Sequence, residues 1–286
     1  EPGVLFWDTA TRMTPSDIYE VEGFGSVSTN PCGEIILSPY DSCRLMLVNL
    51  TSFVKNPWDE NSSFDFGHFR DVARNAQRLM DDMIDLELEQ IEKILEKIDS
   101  DPENDEVKYY ERNLWHNIRQ AALNGRRTGL GITGLGDTIA MLGQTYGSEE
   151  SIKTTEEIYK WLSLASYEES INLAEERGSF PIWNKHLEDG HPFLSRIINE
   201  LTPEMQEKYQ NCGRRNIANT TTAPAGSVSC LTQTTSGIEP AFMLHYTRRK
   251  KVQGDEEVMF VDDVGDKWTE FTVYHHKFKE WMDSTD

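Results

Sequence analysis

Two hydrophobic periods alternate along this chain, and each change of period marks a change of element. Val4-Leu5-Phe6-Trp7 is an unbroken apolar run that predicts a short buried strand, ended by Asp8-Thr9. Thr14-Pro15-Ser16-Asp17 predicts a turn or the start of a brief helix. Glu34 to Leu37 and Leu45 to Phe53 carry apolar, partly β-branched residues at strand-like density, with Ser38-Pro39-Tyr40-Asp41 between them. From Phe66 to Ile98 the period becomes helical. Phe69, Val72, Ala73, Ala76, Leu79, Met80, Met83 and Ile84 fall at three- and four-residue steps. Leu88, Ile91, Ile94, Leu95 and Ile98 extend the stripe until Asp101-Pro102 stops it. Glu111 to Leu123 is a second amphipathic segment, closed by Asn124-Gly125. Ser151 to Arg177 predicts a long helix ended by Gly178, with Ile152, Ile158, Trp161, Leu162, Ala165, Ile171 and Ala174 facing inward. Thr202-Pro203 supplies an N-cap and first position for a short helix. Arg215 to Thr222 reads as a strand, Asp255 to Asp266 as an acidic hairpin or loop, and Thr269 to Trp281 as a strand giving way to a helix. Long helices between short buried strands predict an α/β fold, a barrel among its possible forms.

Charge narrows the partners. The net charge is -21, from 49 acidic and 28 basic residues. Such a surface argues against nucleic acid polymers or anionic membranes as partners, and it leaves any anionic substrate dependent on a local trap. Much of the acidity, in Asp81 to Glu106 and Glu149 to Glu176, reads as solvated helix faces and their adjoining turn. Arg248-Arg249-Lys250-Lys251 is the only basic run and reads as solvated, with no catalytic task. No apolar run approaches the ~18 residues of a membrane helix, and no signal peptide precedes the first motif. The four cysteines, Cys32, Cys43, Cys212 and Cys230, lack CxxC spacing, so no metal site is predicted. They fit a reducing cytoplasm better than a secreted disulfide scaffold. A first residue Glu1 in place of Met fits a trimmed chain or an internal piece of a longer protein.

Chemistry concentrates in two stretches. In Asn30-Pro31-Cys32-Gly33-Glu34 an amide, a thiol and a carboxylate alternate with Pro and Gly. An extended segment would face all three polar groups one way, while Pro31 and Gly33 suit a tight loop. This is a reaction centre in outline, or an Asn-Pro turn with a half-buried cysteine. Pro224-Ala225-Gly226-Ser227-Val228-Ser229 follows a predicted strand. Small residues and free amides at a helix start suit phosphate, and an ordinary turn with capping serines suits the same residues. The glycines between Arg126 and Asp137 match neither GxxxxGK[ST] nor GxGxxG, so close backbone packing is the use read for Gly129, Gly131, Gly134 and Gly136.

Taken together, Asn30 to Glu34, Cys43 at a short spacing, Arg127-Thr128-Gly129-Leu130-Gly131, and Thr222 to Ser229 through Ser236-Gly237-Ile238-Glu239-Pro240 resemble the large catalytic subunit of ribonucleotide reductase. The similarity is closest to its adenosylcobalamin-dependent class II branch. It implies part of a ten-stranded α/β barrel with the catalytic cysteine on a loop inside it. Residues 1–286 would form a single catalytic-barrel portion, without the N-terminal strands, the effector segment and the C-terminal tail.

The resemblance also implies roles. Cys32 matches the cysteine that becomes a thiyl radical and takes the 3′ hydrogen of the ribose. Glu34 matches the acceptor of the 3′-hydroxyl proton, and Asn30 the amide that bonds the sugar hydroxyls. Asn30, Pro31, Cys32, Gly33 and Glu34 would together contact substrate. Cys43 matches one of two cysteines that supply electrons as the 2′-hydroxyl leaves as water. Pro224, Ala225, Gly226, Ser227 and Val228 match the loop that grips the phosphates, with Ala225 replacing a usual Thr or Ser. Cys212 and Cys230 sit at no redox position of the family. The implied partners are a ribonucleoside di- or triphosphate, diphosphate favoured, adenosylcobalamin, a thioredoxin-type reductant, and complementary reductase polypeptides carrying the missing strands and second redox cysteine. The chain then reads as one polypeptide of a split reductase, or as an inactive fragment that only binds complementary chains. A cysteine hydrolase would instead need a histidine such as His245 paired with Cys32.

Overall fold

The chain is described over residues 4–42 and 44–285 of a computed structural model. Its first element already departs from the sequence pattern. Val4, Leu5 and Phe6 are exposed, and Trp7 opens a helix, α1 (Trp7–Met13), in place of a buried strand. An apolar run this short carries no period. The helix that forms carries local bonds from the hydroxyls of Thr11 and Thr14 to the carbonyls of Trp7 and Ala10.

A 3₁₀ turn at Asp17–Glu22 leads to strands β1 (Ser28–Thr29), β2 (Ile36–Leu37) and β3 (Leu45–Asn49). A second 3₁₀ turn (Leu50–Phe53) replaces the later part of the strand predicted to reach Phe53, because the Asn49 side chain caps it by accepting from the Thr51 amide. Next come β4 (Val54–Lys55), β5 (Ser63–Phe64), α2 (Phe66–Ser100), α3 (Asp105–Gly125), β6 (Gly129–Thr133), α4 (Leu135–Met141) and α5 (Glu149–Arg177). The chain continues through α6 (Lys185–Glu188), α7 (Pro192–Glu200), α8 (Pro203–Cys212), α9 (Ser227–Thr232), β7 (His245–Lys251), β8 (Phe260–Val261), β9 (Lys267–Tyr274) and α10 (His276–Thr285).

These elements form two units. The first holds the residues up to Val48, Asp65–Ile132 and Lys153–Pro224. Asp65 caps α2 by accepting from the His68 amide at 3.1 Å, and the helix stops at Asp101, ahead of Pro102. Its buried stripe runs from Phe69 through Met80 and Ile84 to Ile98, whereas Leu79 and Met83 face solvent. Leu164, Tyr167 and Ile171 of α5 pack with Leu194, Ile197 and Ile198 of α7 and Met205 and Tyr209 of α8. The Thr202 hydroxyl caps α8 as its sequence predicts. Ile152, read as inward on α5, is exposed.

β3 and β6 are paired, and an extended segment runs beside β6. Thr128 and Leu130 donate to the carbonyls of Ala218 and Asn219 at 3.0 and 2.8 Å, and Thr221 donates to Leu130 at 2.9 Å. Arg215 to Thr222 is therefore extended but not a full strand, its ladder being one parallel bridge between Leu130 and Thr220. The reason is local. The Arg215 and Asn216 amides are taken by the Ser170 carbonyl and hydroxyl, which removes them from any ladder. Gly129 and Gly131 serve close packing as read: a Cβ on them would lie 2.7 Å from the carbonyl oxygens of Arg44 and Thr221 respectively.

The second unit holds Asn49–Phe64, Thr133–Ile152 and the chain from Ala225 onward. β4 and β5 form an antiparallel pair. β9 lies between β7 and β8 in an antiparallel sheet, with His245 opposite Tyr274 and Phe260 opposite Trp268. The basic run lies on β7, exposed, with Arg249, Lys250 and Lys251 paired to Glu270, Glu256 and Asp266.

Candidate active site

β1 and β2 pair antiparallel, Ser28 opposite Leu37 and Thr29 opposite Ile36, so residues 30–35 form the loop between them. Asn30 builds that loop. Its amide donates to the Ile35 carbonyl at 3.2 Å, its carbonyl accepts from Gly33 at 3.0 Å, and its side-chain oxygen accepts from the Ile35 amide at 3.1 Å. Gly33 sits at φ 81°, where a side chain would be strained. The segment turns rather than extends, so alternation does not govern where its side chains point. Cys32 is exposed with a free thiol, whereas Glu34 is half-buried. The Glu34 Oε2 atom is buried and without a hydrogen-bond partner among the described residues. The Thr221 hydroxyl pins the loop by donating to the Glu34 carbonyl at 2.8 Å. Beside Glu34 lies a cavity of about 330 Å³, lined among others by Arg127, Thr128, Tyr167, Asn219 and Thr220.

Cys43 lies outside the described residues, but the residues around it are tied down. Asp41, its side chain 1% exposed, pairs with Arg127 Nε at 2.6 Å. Arg44 is buried, pairs with Glu87 of α2 and donates to the Arg127 carbonyl at 3.1 Å.

Further buried charges hold the framework of this unit. Burial pushes the Asp81 carboxyl up, but hydrogen bonds and charge from Arg126, with Arg215 and Asn216, outweigh it and hold the group below its ordinary value. Burial likewise opposes ionisation of Glu188. The Arg214 charge and its bonds at 3.0 and 2.7 Å, with hydroxyls donated by Tyr209 and Tyr19, prevail and keep this carboxyl low. Burial pushes the Tyr167 hydroxyl up to about 12, so it faces the cavity side of α5 as a neutral phenol. Asp81, Glu168 and Glu169 are buried and paired with arginines, so the acidic helix faces are not solvated throughout.

In the second unit the loop ahead of α9 is shaped by Gly226, at φ 52° and ψ -123°. Ala225 donates to the Ser236 carbonyl at 2.7 Å and Gly226 to the Ser236 hydroxyl at 3.3 Å. The amides of Val228 and Ser229 turn back onto the Ala225 and Gly226 carbonyls. The exposed Ser227 amide has no such bond among the described residues, which leaves it and its hydroxyl as the loop's available donors. Exposed Pro224 ends the first unit. His245 is exposed on β7, its ring against Tyr274.

Sequence reasoning missed Thr221, Asn219, Asp41 and Arg127 as parts of the loop's surroundings. A signal existed for two of them: Asn219 and Thr221 are two apart in an extended segment and share a parity. In the second unit it also missed buried Asp137, which accepts from the Thr235 amide at 2.7 Å and pairs with His275 at 2.6 Å.

The chain is similar to known proteins. The family profile described as "Ribonucleotide reductase, barrel domain" matches residues 1–279. A "Vitamin B12-dependent ribonucleoside-diphosphate reductase" from Mycobacterium tuberculosis is 31% identical over 250 residues, 87% of this chain and 28% of that protein. A protein of the same description from Thermoplasma acidophilum is 28% identical over 287 residues, covering 100% of this chain and 30% of the relative. The chain thus spans under a third of the length of these relatives. Among solved structures, the Actinobacillus ureae class Id ribonucleotide reductase alpha subunit superposes with a TM-score of 0.53 at 19% identity, over 84% of this chain and 36% of that one. With a profile match across nearly its whole length, this chain belongs to the ribonucleotide reductase barrel-domain family.

Proposed function

We propose that this chain carries the radical-cysteine loop and the phosphate loop of a cobalamin-dependent ribonucleotide reductase acting on ribonucleoside diphosphates. The observation that carries the reading is the loop itself. Cys32 is exposed on a turn fixed by Asn30 and Thr221, and Glu34, two residues on, keeps a carboxylate oxygen unengaged. As a thiyl radical, Cys32 takes the 3′ hydrogen atom of the ribose, and Glu34 takes the 3′-hydroxyl proton. The 2′-hydroxyl then leaves as water, taking its proton from a thiol of the redox pair. Cys43 and a second cysteine are oxidised to a disulfide as they supply two electrons, and Cys32 returns the hydrogen atom. Asn30 bonds the sugar hydroxyls while shaping the loop. The loop from Pro224 to Val228 binds the phosphates, with Ser227 supplying amide and hydroxyl donors where Ala225 supplies none. A thioredoxin-type protein reduces the disulfide.

Adenosylcobalamin, when bound, supplies the oxidising equivalent that makes the cysteine radical. An exposed Cys32 thiol fits a residue that must be reached by such a group.

The reading includes complementary polypeptides, among them one that carries the partner cysteine of Cys43. Exposed apolar residues such as Phe242, Leu231 and Val264 supply surface for association. The second reading, an inactive fragment that only binds complementary reductase chains, rests on the same exposed surface. The test is ribonucleotide reduction by the chain with complementary polypeptides, with and without adenosylcobalamin, for the parent and Cys32→Ser. We expect cofactor-dependent turnover that is lost in Cys32→Ser. Persisting turnover in that variant would overturn the mechanism, and a clean inactive monomer on size-exclusion chromatography would sink the split-enzyme reading.

A further inference from the structure

The cavity beside Glu34 gathers polar atoms that the fold orients and leaves unsatisfied. Glu34 Oε2, Arg127 Nη2 and Asn219 Oδ1 are each buried without a hydrogen bond among the described residues, and their three residues line the same space of about 330 Å³. Arg127 and Asn219 are 3% and 1% exposed. Each residue is fixed by a bond elsewhere: Arg127 Nε to Asp41 at 2.6 Å, Asn219 Nδ2 to the Ser166 carbonyl at 3.1 Å, and the Glu34 carbonyl to Thr221 at 2.8 Å. A direct ion pair between Arg127 and Glu34 would have satisfied two of the three orphans, yet Arg127 pairs with Asp41 instead. Buried polar atoms are rarely left orphaned. One donor and two acceptors around a space far larger than the ~30 Å³ of a liquid water match the needs of a buried water, which makes about three hydrogen bonds.

We propose that Arg127 and Asn219 are positioning residues for Glu34, acting through ordered water in this cavity. The water accepts from Arg127 Nη2 and donates to Asn219 Oδ1 and Glu34 Oε2, leaving Glu34 Oε1 for the substrate hydroxyl. A water polarised by the guanidinium stabilises the ionised carboxylate and fixes its plane. The titratable groups lining the cavity are Glu34 of the loop, Arg127 ahead of β6 and Tyr167 of α5; Asp41 holds Arg127 from the side. Met13 of α1 and Phe193 of α7 add apolar walls. The inference rests on the reading of Glu34 as the proton acceptor.

Its test is the pH dependence of kcat/KM in the assembled reductase. Glu34 works as a base only when ionised, so the acid limb reports its ionisation. Arg127→Gln combined with Asp41→Asn removes the guanidinium without stranding a buried charge. We expect the limb to move up, with kcat/KM falling most below it and KM little changed. Asp41→Asn alone keeps Arg127 and releases its Nε from Asp41, so the limb should stay or move down and should not move up. A purely structural role would lower activity at every pH without moving the limb. A stationary limb in a folded double variant would overturn the proposal. A high-resolution structure of the unaltered assembly without ordered water about 3 Å from all three atoms would also overturn it, whether or not the double variant folds. Full activity in Glu34→Gln would instead remove the reading of Glu34 itself, and that outcome is separable from the others.

Discussion

Replacing Gly131 by Ala tests the packing that brings the extended segment to the candidate loop. Gly131 lies on β6 between β3 and that segment. An added Cβ would meet the Thr221 carbonyl oxygen at 2.7 Å and Leu47 Cδ2 at 2.9 Å, where ordinary contact begins at 3.4 Å. Leu47 can yield, but Thr221 O is backbone, so the two chains must part by about 0.7 Å at this point. The same shift stretches the bonds of Leu130 to Asn219 and of Thr221 to Leu130, now 2.8 and 2.9 Å, out of the normal range. Overpacking of this kind costs about 1–3 kcal/mol. The smaller entropy of an unfolded chain with Ala offsets about 0.4–1 kcal/mol of it. A net loss of about 1.3 kcal/mol would lower the urea midpoint by roughly 0.4 M for an m-value near 3 kcal/mol/M. Gly67 is the control. It sits exposed in the first turn of α2, and its added Cβ meets only Asp65 Oδ1 at 3.6 Å, so Gly67→Ala should stabilise by up to about 1 kcal/mol. A Gly131→Ala chain with an unchanged or higher midpoint would refute the claim that β6 is clamped against Thr221.

Three further outcomes follow from the same contacts. Arg214→Met strands the fully buried Glu188 carboxylate and should destabilise the chain by about 3–5 kcal/mol in denaturant unfolding; a loss under about 1 kcal/mol would contradict the pairing. Asp81 and Glu188 are both held below their unfolded values, so the stability they contribute is complete above about pH 4.3 and is lost as pH falls through their lowered native values. Urea midpoints should therefore hold from pH 7 to about 5 and drop towards pH 3, and a rise on acidification would count against both assignments. Thr221→Val keeps the shape but loses the hydroxyl bond to the Glu34 carbonyl, at a cost of about 1 kcal/mol, with a larger proportional fall in turnover than in substrate affinity.

The long helices were legible because their apolar period persists over many turns: Phe66 to Ile98 predicts α2 within its observed span. Short runs failed for want of a period, as at Val4 to Trp7, where Val4 to Phe6 are exposed and Trp7 opens a helix. Arg215 to Thr222 failed differently. Its composition suits a strand, but its amides and side chains answer to Ser170 and Asp81, residues distant in sequence. The candidate loop was legible as chemistry, since an amide, a thiol and a carboxylate at that spacing stand out in five residues. Its geometry was not, because the turn depends on Asn30 bonding to Ile35 and on a hydroxyl contributed from position 221.

Arg126 and Arg127 carry this point into the site. In sequence they are one basic pair. In the structure Arg126 takes a left-handed conformation, φ 46°, at the end of α3, and the two side chains find different acids. Arg126 reaches Asp81 and Asp85 of α2 and is fully committed there, with its bonds to Asp81 and to that residue's carbonyl. Among the described residues Arg127 has Asp41 as its acidic partner, and its Nη2 has no hydrogen bond although Arg127 lines the same cavity as Glu34. The acidic run that begins at Asp81 therefore does more than keep the chain soluble. By occupying Arg126, and through Glu87 also Arg44, α2 fixes the backbone on both sides of Arg127 and leaves that one guanidinium available at the cavity. A charge pattern that reads as surface solvation along the helix is, across α2 and the start of β6, the arrangement that commits Arg126 to acids of α2 while Arg127 lines the cavity.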